Sequence, residues 1–143
     1  MTAGYFDSSA IVKLYANELH HELVRGFEGV LICSSLTRVE VAAALSGKVR
    51  SGEISNATAQ VVHDVFIADW SDGKFVVVPP DESIETEAAR LASVYAVRGF
   101  DALHLATAKA VRSAVPEINL FASFDKRLNL AAASEQFQLL PAA

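Results

Sequence analysis

The sequence predicts an α/β fold with a central, mostly parallel sheet of about five strands flanked by helices. Short apolar runs alternate along the chain with longer segments of helical period, which is the pattern of strands joined by crossover helices. The chain has no repeats, no low-complexity tract and no break in composition that would mark a linker. We therefore expect a single domain over residues 1–143.

The apolar runs at 4–6, 30–33, 75–78 and 120–123, with a weaker run at 137–140, are the strand candidates. Helices are predicted over 8–17, 20–27, 36–51, 56–70, 83–98 and 101–115, with a short one from Lys126. Pro79 and Pro80 stop the third strand, and Asp81 or Ser83 can cap the next helix. Gly99 suits the left-handed position that ends helix 83–98.

Helices 36–51 and 56–70 are predicted to form a hairpin that turns at Ser51 and Gly52. The second of these helices carries several large apolar side chains. They either pack inside the hairpin or offer an interface, and both remain open: Val61, Val65, Phe66 and Trp70.

Composition narrows the class of protein. The hydrophobic fraction is 52% and the charged fraction 20%, values that fit a compact globular chain and not a disordered one. We see no signal peptide and no membrane-length apolar run, and Cys33 is the only cysteine, so a cytoplasmic location is the expectation. The formal net charge of −5 argues against nucleic-acid binding through the overall field, but it does not exclude a nuclease.

Acidic residues stand where predicted strands end or helices begin. Asp7 closes the first strand, Glu40 lies in the first turns of the helix after the second strand, Asp101 opens a helix, and Asp125 follows the fourth strand. In an open α/β sheet these positions line one crevice outside the carboxyl ends of the strands. Carboxylates gathered there repel one another unless a cation neutralises them, and oxygen ligands suit Mg²⁺ or Mn²⁺.

Each acid taken alone also has a structural explanation. Asp7 and Asp125 could be helix N-caps, Glu40 could close a capping box with Thr37, and Asp101 could complement a helix dipole. The joint interpretation is favoured because Mg²⁺ held by carboxylates can activate water for phosphodiester hydrolysis without a side-chain nucleophile. The sequence contains no GxxxxGK[ST], HExxH or GxSxG motif that would suggest another chemistry.

The segments around these acids resemble the motifs of PIN-domain ribonucleases, in particular the VapC-type toxins of bacterial toxin–antitoxin pairs. The resemblance spans nearly the whole chain and is carried by FDSSAIVKLY (6–15), SLTRVE (35–40), FDALHLA (100–106) and SFDKRL (123–128). It implies a compact parallel sheet flanked by helices, an acidic Mg²⁺ site and endonucleolytic cleavage of structured RNA. It also implies a homodimer and inhibition by a small antitoxin protein.

Asp7, Glu40, Asp101 and Asp125 match the family's acidic positions one by one and are the expected catalytic residues. Asp7 and Asp101 are expected to hold Mg²⁺, for which Mn²⁺ could substitute. Ser123 stands where many members have Thr, which keeps the hydroxyl.

Other polar residues near the motifs are weaker candidates. His104 lies on the same helix face as Asp101 and could orient it or simply pack. Ser8 or Ser9 can cap a helix or contact the phosphate. The candidates for phosphate contacts are Lys13, Arg38, Lys126 and Arg127.

Two other functions compete with that of a metal-dependent nuclease. A PIN-like module that binds RNA or a partner without cutting remains the alternative, although it would not need mutually repelling acids. A receiver-like phosphoacceptor is disfavoured because the third strand ends in Val78-Pro79-Pro80 and not in an aspartate.

Overall fold

One parallel sheet forms the centre of the protein. The computed structural model describes residues 2–142. Its five strands are β1 (Ala3–Phe6), β2 (Val30–Ser34), β3 (Phe75–Val78), β4 (Leu120–Ala122) and β5 (Gln138–Leu140). They are ordered β3-β2-β1-β4-β5, and Tyr5 of β1 pairs with Ile32 on one side and Phe121 on the other. The predicted α/β fold with a largely parallel sheet is confirmed.

In the described part of the chain, seven α-helices connect the strands: α1 (Ser8–Ile11), α2 (His21–Arg25), α3 (Thr37–Arg50), α4 (Asn56–Ser71), α5 (Glu82–Tyr95), α6 (Gly99–Ala114) and α7 (Lys126–Ser134). The helices α1 to α4 pack on one face of the sheet and α5 to α7 on the other. Each group contributes its buried side chains to a separate hydrophobic cluster. Within residues 2–142, no helix combines the length and the apolarity that crossing a bilayer would require.

Alternation of side chains along the strands builds the two cores. Tyr5 packs with α5, α6 and α7, whereas the next residue, Phe6, packs with α1 to α4. The central strands are buried on both faces, which explains why their sequences are continuously apolar.

The strand order reverses beside β1. The chain moves outward from β1 to β2 and β3, and then returns to place β4 on the other side of β1. In sheets of this kind, the crevice outside the carboxyl ends of the strands opens at the point of reversal. The segments after β1 and β4 therefore border the same crevice.

The α3–α4 hairpin forms as predicted. Its large apolar side chains, which could either pack internally or offer an interface, divide between buried and exposed positions. Gly52 has a φ of +80° at the turn, a conformation that glycine adopts without steric cost. Phe66 is fully buried and packs edge-on against Tyr15, and Trp70 is partly buried beside Phe75. Val61 and Val65 are exposed instead, at 63% and 50%.

The predicted helix over 8–17 is wrong in its second half. The α-helix ends at Ile11 and is followed by a short 3-10 turn over Val12–Leu14. Arg25 donates hydrogen bonds to the carbonyl oxygens of Lys13 and Ala16. In a helix that continued to residue 17, the Lys13 carbonyl would accept the Asn17 amide, so its bond with Arg25 competes with continuation of the helix.

The predicted boundary at Gly99 is also wrong. Helix α5 ends at Tyr95, and Ala96 adopts the left-handed conformation with a φ of +54°. Gly99 is the first residue of α6, with Arg98 extended before it. Val97 is buried in the core between the two helices, so packing of this side chain outweighs the local preference for glycine in the left-handed position.

A charged network joins α5, α6 and the end of α7. Lys109 Nζ lies 2.5 Å from Glu87 Oε2 and 2.6 Å from Glu135 Oε1, and Tyr95 donates to the other oxygen of Glu135. Hydrogen bonds from Arg90 and Lys109 lower the pKa of Glu87 to about 2. Burial would raise the pKa of Glu135, but the hydrogen bonds from Lys109 and Tyr95 outweigh it, so this pKa is also lowered.

Replacing Lys109 by Met should lower the free energy of unfolding by on the order of 1 kcal/mol at neutral pH, since the groups are partly exposed. Because the folded-state pKa values are depressed, the stabilisation is present above the ordinary Glu pKa of about 4.3. It is lost as the pH falls toward about 2, the folded-state value of Glu87.

Urea unfolding of the wild type, Lys109→Met, Glu87→Gln and the double variant gives the coupling energy between Lys109 and Glu87 at each pH. A coupling energy that does not shrink between neutral pH and about pH 3 would contradict the charged origin of the interaction.

Candidate active site

The predicted acids meet in one cleft at the carboxyl edge of the sheet. Asp7 follows β1, Glu40 lies on α3, Asp101 is in the first turn of α6, and Asp125 precedes α7. All of them line a cleft of about 230 Å³. The sequence-based expectation that the acids converge is therefore correct.

Asp7 is almost fully buried, with 3% of its surface exposed. Its Oδ1 accepts hydrogen bonds from the amide of Ala10 at 3.0 Å and from the hydroxyl of Ser9 at 2.7 Å. The helix-capping interpretation is thus correct for Asp7 without removing it from the cleft. Burial raises the pKa of Asp7, and the neighbouring His104, the hydroxyls of Ser123 and Ser9 and the Ala10 amide offset that rise only in part.

Asp125 also combines a structural role with a place in the cleft. Its Oδ1 accepts a hydrogen bond of 2.9 Å from the amide of Leu128 and caps α7. The preceding loop is fixed by Ser123, whose hydroxyl accepts the Asp125 amide at 3.1 Å. Ser9 holds the same loop because its hydroxyl accepts the Phe124 amide at 3.0 Å. The segments after β1 and β4 are therefore joined directly.

Asp101 is the electrostatically strained member of the cleft. Burial raises the pKa of Asp101, and the negative charges of Asp125, Asp7 and Glu40 raise it further. The imidazole of His104 acts in the opposite direction without cancelling these effects. The carboxylates are thus close enough to oppose one another's ionisation.

Glu40 is held by two donors on a single oxygen. Ser8 Oγ and His104 Nε2 each lie 2.6 Å from Glu40 Oε1. Burial would raise the pKa of Glu40, but the hydrogen bonds from His104 and Ser8 outweigh it and lower the pKa. The capping box with Thr37, the structural alternative for Glu40, does not form: α3 has no side-chain cap, and Ser34 Oγ accepts the Leu36 amide just before it.

His104 is buried, at 1% exposure, and bridges the core to the cleft. Its Nδ1 lies 2.7 Å from the hydroxyl of Tyr5. Because the carboxylate of Glu40 can only accept, Nε2 must carry the proton, and in the neutral ring Nδ1 then accepts from Tyr5. Within residues 2–142, its side-chain hydrogen bonds go to Tyr5, Ser8 and Glu40, so the expectation that His104 orients Asp101 is replaced by contact with Glu40.

The donor chemistry of the cleft fits Mg²⁺, although its side chains do not form a ready-made cage. Among the described residues, no three Asp, Glu, His or Cys side chains are grouped so as to hold a metal ion as they stand. Mg²⁺ keeps several waters and commonly uses only one or two carboxylates. A Mg²⁺ site built on the carboxylates of Asp7 and Asp101 needs no third protein ligand, because water can fill the remaining positions. These two residues are therefore compatible with Mg²⁺.

One expected phosphate contact is wrong, and one cation was missed. Lys13 is buried: its Nζ donates to Leu19 O at 2.8 Å and lies over the Phe124 ring at 4.6 Å. Arg127 donates to Ala96 O at 3.2 Å. Arg98, which the sequence pattern placed in the last turn of the preceding helix, instead lines a recess beside the acids.

Comparison with known proteins shows the family to which the chain belongs. The model of the PIN domain family matches residues 4–134. Ribonuclease VapC45 and Ribonuclease VapC49, both from Mycobacterium tuberculosis, are each 32% identical over 147 aligned residues, covering 99% of this chain and 97% of the relative. The chain therefore belongs to the PIN-domain family, and the resemblance to its VapC-type members is confirmed.

Solved structures share the fold at low sequence identity. VapC20 of Mycobacterium tuberculosis, described as a Sarcin-Ricin loop cleaving toxin, superposes with a TM-score of 0.64 at 14% identity. That similarity covers 90% of this chain and 94% of VapC20. A toxin–antitoxin complex from Klebsiella pneumoniae superposes with a TM-score of 0.62 at 15% identity, covering 85% of this chain and 86% of the other.

The strain at Asp101 predicts that Asp101→Asn, measured in EDTA at neutral pH, melts at a higher temperature than the wild type. The variant removes a charge whose folded-state pKa is raised by burial and by neighbouring acids. A raised acid pKa destabilises the folded state above that pKa, and the penalty fades as the pH falls. The advantage of Asn should therefore shrink toward about pH 3.9, the ordinary Asp value.

Glu85→Gln is the matched control, because Glu85 is an exposed acid in the first turn of α5. It reports the loss of the helix-dipole interaction alone, about 0.3–1 kcal/mol in the destabilising direction. If Asp101→Asn melts lower than the wild type by the same amount as the control, Asp101 acts only as a helix-start residue.

Proposed function

We propose that this protein is a Mg²⁺-dependent endoribonuclease that cleaves structured RNA and acts as the toxin of a toxin–antitoxin pair. The observation that carries the proposal is the convergence of Asp7, Glu40, Asp101 and Asp125 on one cleft at the switch point of the sheet. The raised pKa of Asp101, caused by burial and then by the other acids, is the property expected of a site that a cation completes.

Each acidic side chain of the cleft would have a different role in cleavage. Asp7 and Asp101 would hold Mg²⁺, which when bound would neutralise charge on the phosphate and acidify a water. Glu40 stays ionised because Ser8 and His104 lower its pKa. Since Oε1 already accepts from both of these donors, Oε2 is the atom that would accept a hydrogen bond from the attacking water. Asp125 is fixed by capping α7 and adds negative charge to the same cleft.

The names of the relatives support RNA as the substrate. The full-length relatives are named ribonucleases, and VapC20 is described as a Sarcin-Ricin loop cleaving toxin. The toxin–antitoxin complex from Klebsiella pneumoniae supports an antitoxin as the partner. Homodimer formation, which the resemblance implies, stays a prediction.

A non-cleaving RNA- or partner-binding module is the alternative. Such a module would use Asp7 as a helix cap, but it gains nothing from the mutual repulsion felt by Asp101. Retaining these charges costs folding free energy, which an active site tolerates because the same groups bind the cation. The strained acids thus favour a catalytic site.

Cleavage of RNA by the purified protein should require Mg²⁺ or Mn²⁺ and stop with EDTA. Asp101→Asn should slow cleavage by about a hundredfold or more, comparable to the loss of a key electrostatic stabiliser. Initial rates on a labelled structured RNA measure the effect. Glu28→Gln, which removes an exposed acid from the loop before β2, is the control and should leave the rate unchanged.

Melting curves give a readout that does not depend on cleavage. Mg²⁺ at a hundred times its Kd should stabilise the wild type by about 2.7 kcal/mol. Asp101→Asn should respond less to Mg²⁺, whereas Glu28→Gln should respond as the wild type does.

Full RNA-cleaving activity in both Asp7→Asn and Asp101→Asn would refute the assignment of the site.

Expression of the wild-type chain alone should arrest bacterial growth, because RNA cleavage would be uncontrolled. Co-expression of a small protein encoded beside it should restore growth. Growth curves with inducible expression provide the measurement, and Asp7→Asn, matched for protein level, is the inactive control. If the wild type proved as harmless as Asp7→Asn, the toxin role would fail while the nuclease activity could survive.

A further inference from the structure

A second recess adjoins the acidic cleft at the start of α6. Its volume is about 410 Å³, within the range of about 300–1,000 Å³ typical of small-ligand pockets. Its lining consists of Glu40, Arg98, Gly99, Phe100, Asp101 and Asp125. Glu40, Asp101 and Asp125 also line the acidic cleft, so the two cavities share a wall. A group bound in the recess would therefore lie directly beside the reacting phosphodiester.

Phe100 presents an aromatic side chain to solvent at this recess. It is 60% exposed, although the helix positions beyond it, Ala102 and Leu105, are fully buried. Among the ring contacts described for residues 2–142, Phe66, Phe75 and Phe121 all pack against other rings, and Phe100 takes part in none. The exposed ring thus contributes little to the core and stands immediately before Asp101.

Arg98 places a positive charge in the same recess. Its side chain is exposed, and it neither caps α6 nor takes part in any of the ion pairs described for residues 2–142. Gly99, between Arg98 and Phe100, leaves the recess open, because a Cβ added there would meet nothing within 4 Å. The Arg98 guanidinium, which forms no ion pair with the described residues, and the exposed Phe100 ring therefore flank an open space.

We propose that Arg98 and Phe100 form a nucleotide subsite for the RNA, with a base stacked on the Phe100 ring and an adjacent phosphate bound by Arg98. The inference rests on the proposed ribonuclease function and deepens it. Aromatic rings stack with any base, and the guanidinium fork matches the geometry of phosphate oxygens. In a chain of net charge −5, a cation beside the acids also offsets the repulsion between the cleft and the RNA backbone.

The subsite has a consequence for which part of an RNA is cut. A base can stack on Phe100 only when it is not stacked inside a duplex, and unstacked bases occur in loops, bulges and ends. We therefore expect cleavage of structured RNA at unpaired nucleotides. A continuous duplex should bind more weakly than the same sequence presented in a hairpin loop.

Binding in EDTA tests the subsite without requiring cleavage. The probe is a fluorescein-labelled RNA hairpin with an unpaired loop, and its Kd is measured by anisotropy over a series of salt concentrations. Phe100→Leu keeps an apolar side chain and should weaken binding about five- to a hundredfold, the range for loss of one stacked base, whereas Phe100→Trp should bind like the wild type. Arg98→Gln should weaken binding and reduce the slope of log K against log salt by about 0.7.

Matched controls separate the subsite from general surface effects. Val61→Ala changes an exposed apolar residue on α4, and Arg50→Gln changes an exposed arginine at the end of α3. Neither should alter the Kd. Circular dichroism melting of each variant checks that the fold is kept.

The outcomes distinguish the subsite from the nuclease function. If the wild type cleaves RNA but Phe100→Leu and Arg98→Gln bind and cut as it does, the subsite is refuted and the nuclease stands. If these variants bind RNA normally but fail to bind the antitoxin, the recess is a protein contact and the proposal is overturned. If the wild type binds the hairpin through Phe100 and Arg98 without ever cutting it, the subsite stands and the nuclease function fails. If the wild type neither binds nor cuts RNA, both fail.

Discussion

Repulsion among carboxylates at the carboxyl edge of the sheet is the constraint around which this structure is organised. The order β3-β2-β1-β4-β5 puts β1 in the middle, so the loop after β1 lies beside the loop after β4. Asp7 and Asp125 occupy these two positions, and α3 and α6 bring Glu40 and Asp101 to the same cleft. Hydrogen bonds hold the carboxylates of Asp7, Glu40 and Asp125 in this arrangement.

Capping bonds supply much of that restraint. Asp7 and Asp125 each use Oδ1 to accept an amide at the start of a helix, which fixes the orientation of the carboxylate. Ser9 connects the two loops, because it donates to Asp7 and accepts from the Phe124 amide. Structural and functional explanations of these acids are therefore complementary: the bond that begins the helix also positions the carboxylate in the cleft.

Glu40 is restrained from the core. The chain of contacts from Tyr5 through His104 to Glu40 links the middle strand of the sheet to a side chain at the cleft. Ser8 adds a second donor to the same oxygen. These donors lower the pKa of Glu40 against the effect of burial, whereas burial and the charges of Asp125 and Asp7 raise the pKa of Asp101. One cleft thus contains an acid with a lowered pKa, Glu40, and an acid with a raised pKa, Asp101, which is a common arrangement in catalytic sites.

The sequence by itself determined the strands, the fold class and the convergence of the acids, because these depend on local apolar runs and on the general geometry of parallel sheets. It could not determine where α5 ends, because Ala96 adopts the left-handed conformation so that Val97 can be buried in the core. Nor could it show that Lys13 is buried over Phe124, or that His104 contacts Glu40, 64 residues away. Such contacts join residues distant in the chain, and only the packing of the helices on the sheet decides which of them meet.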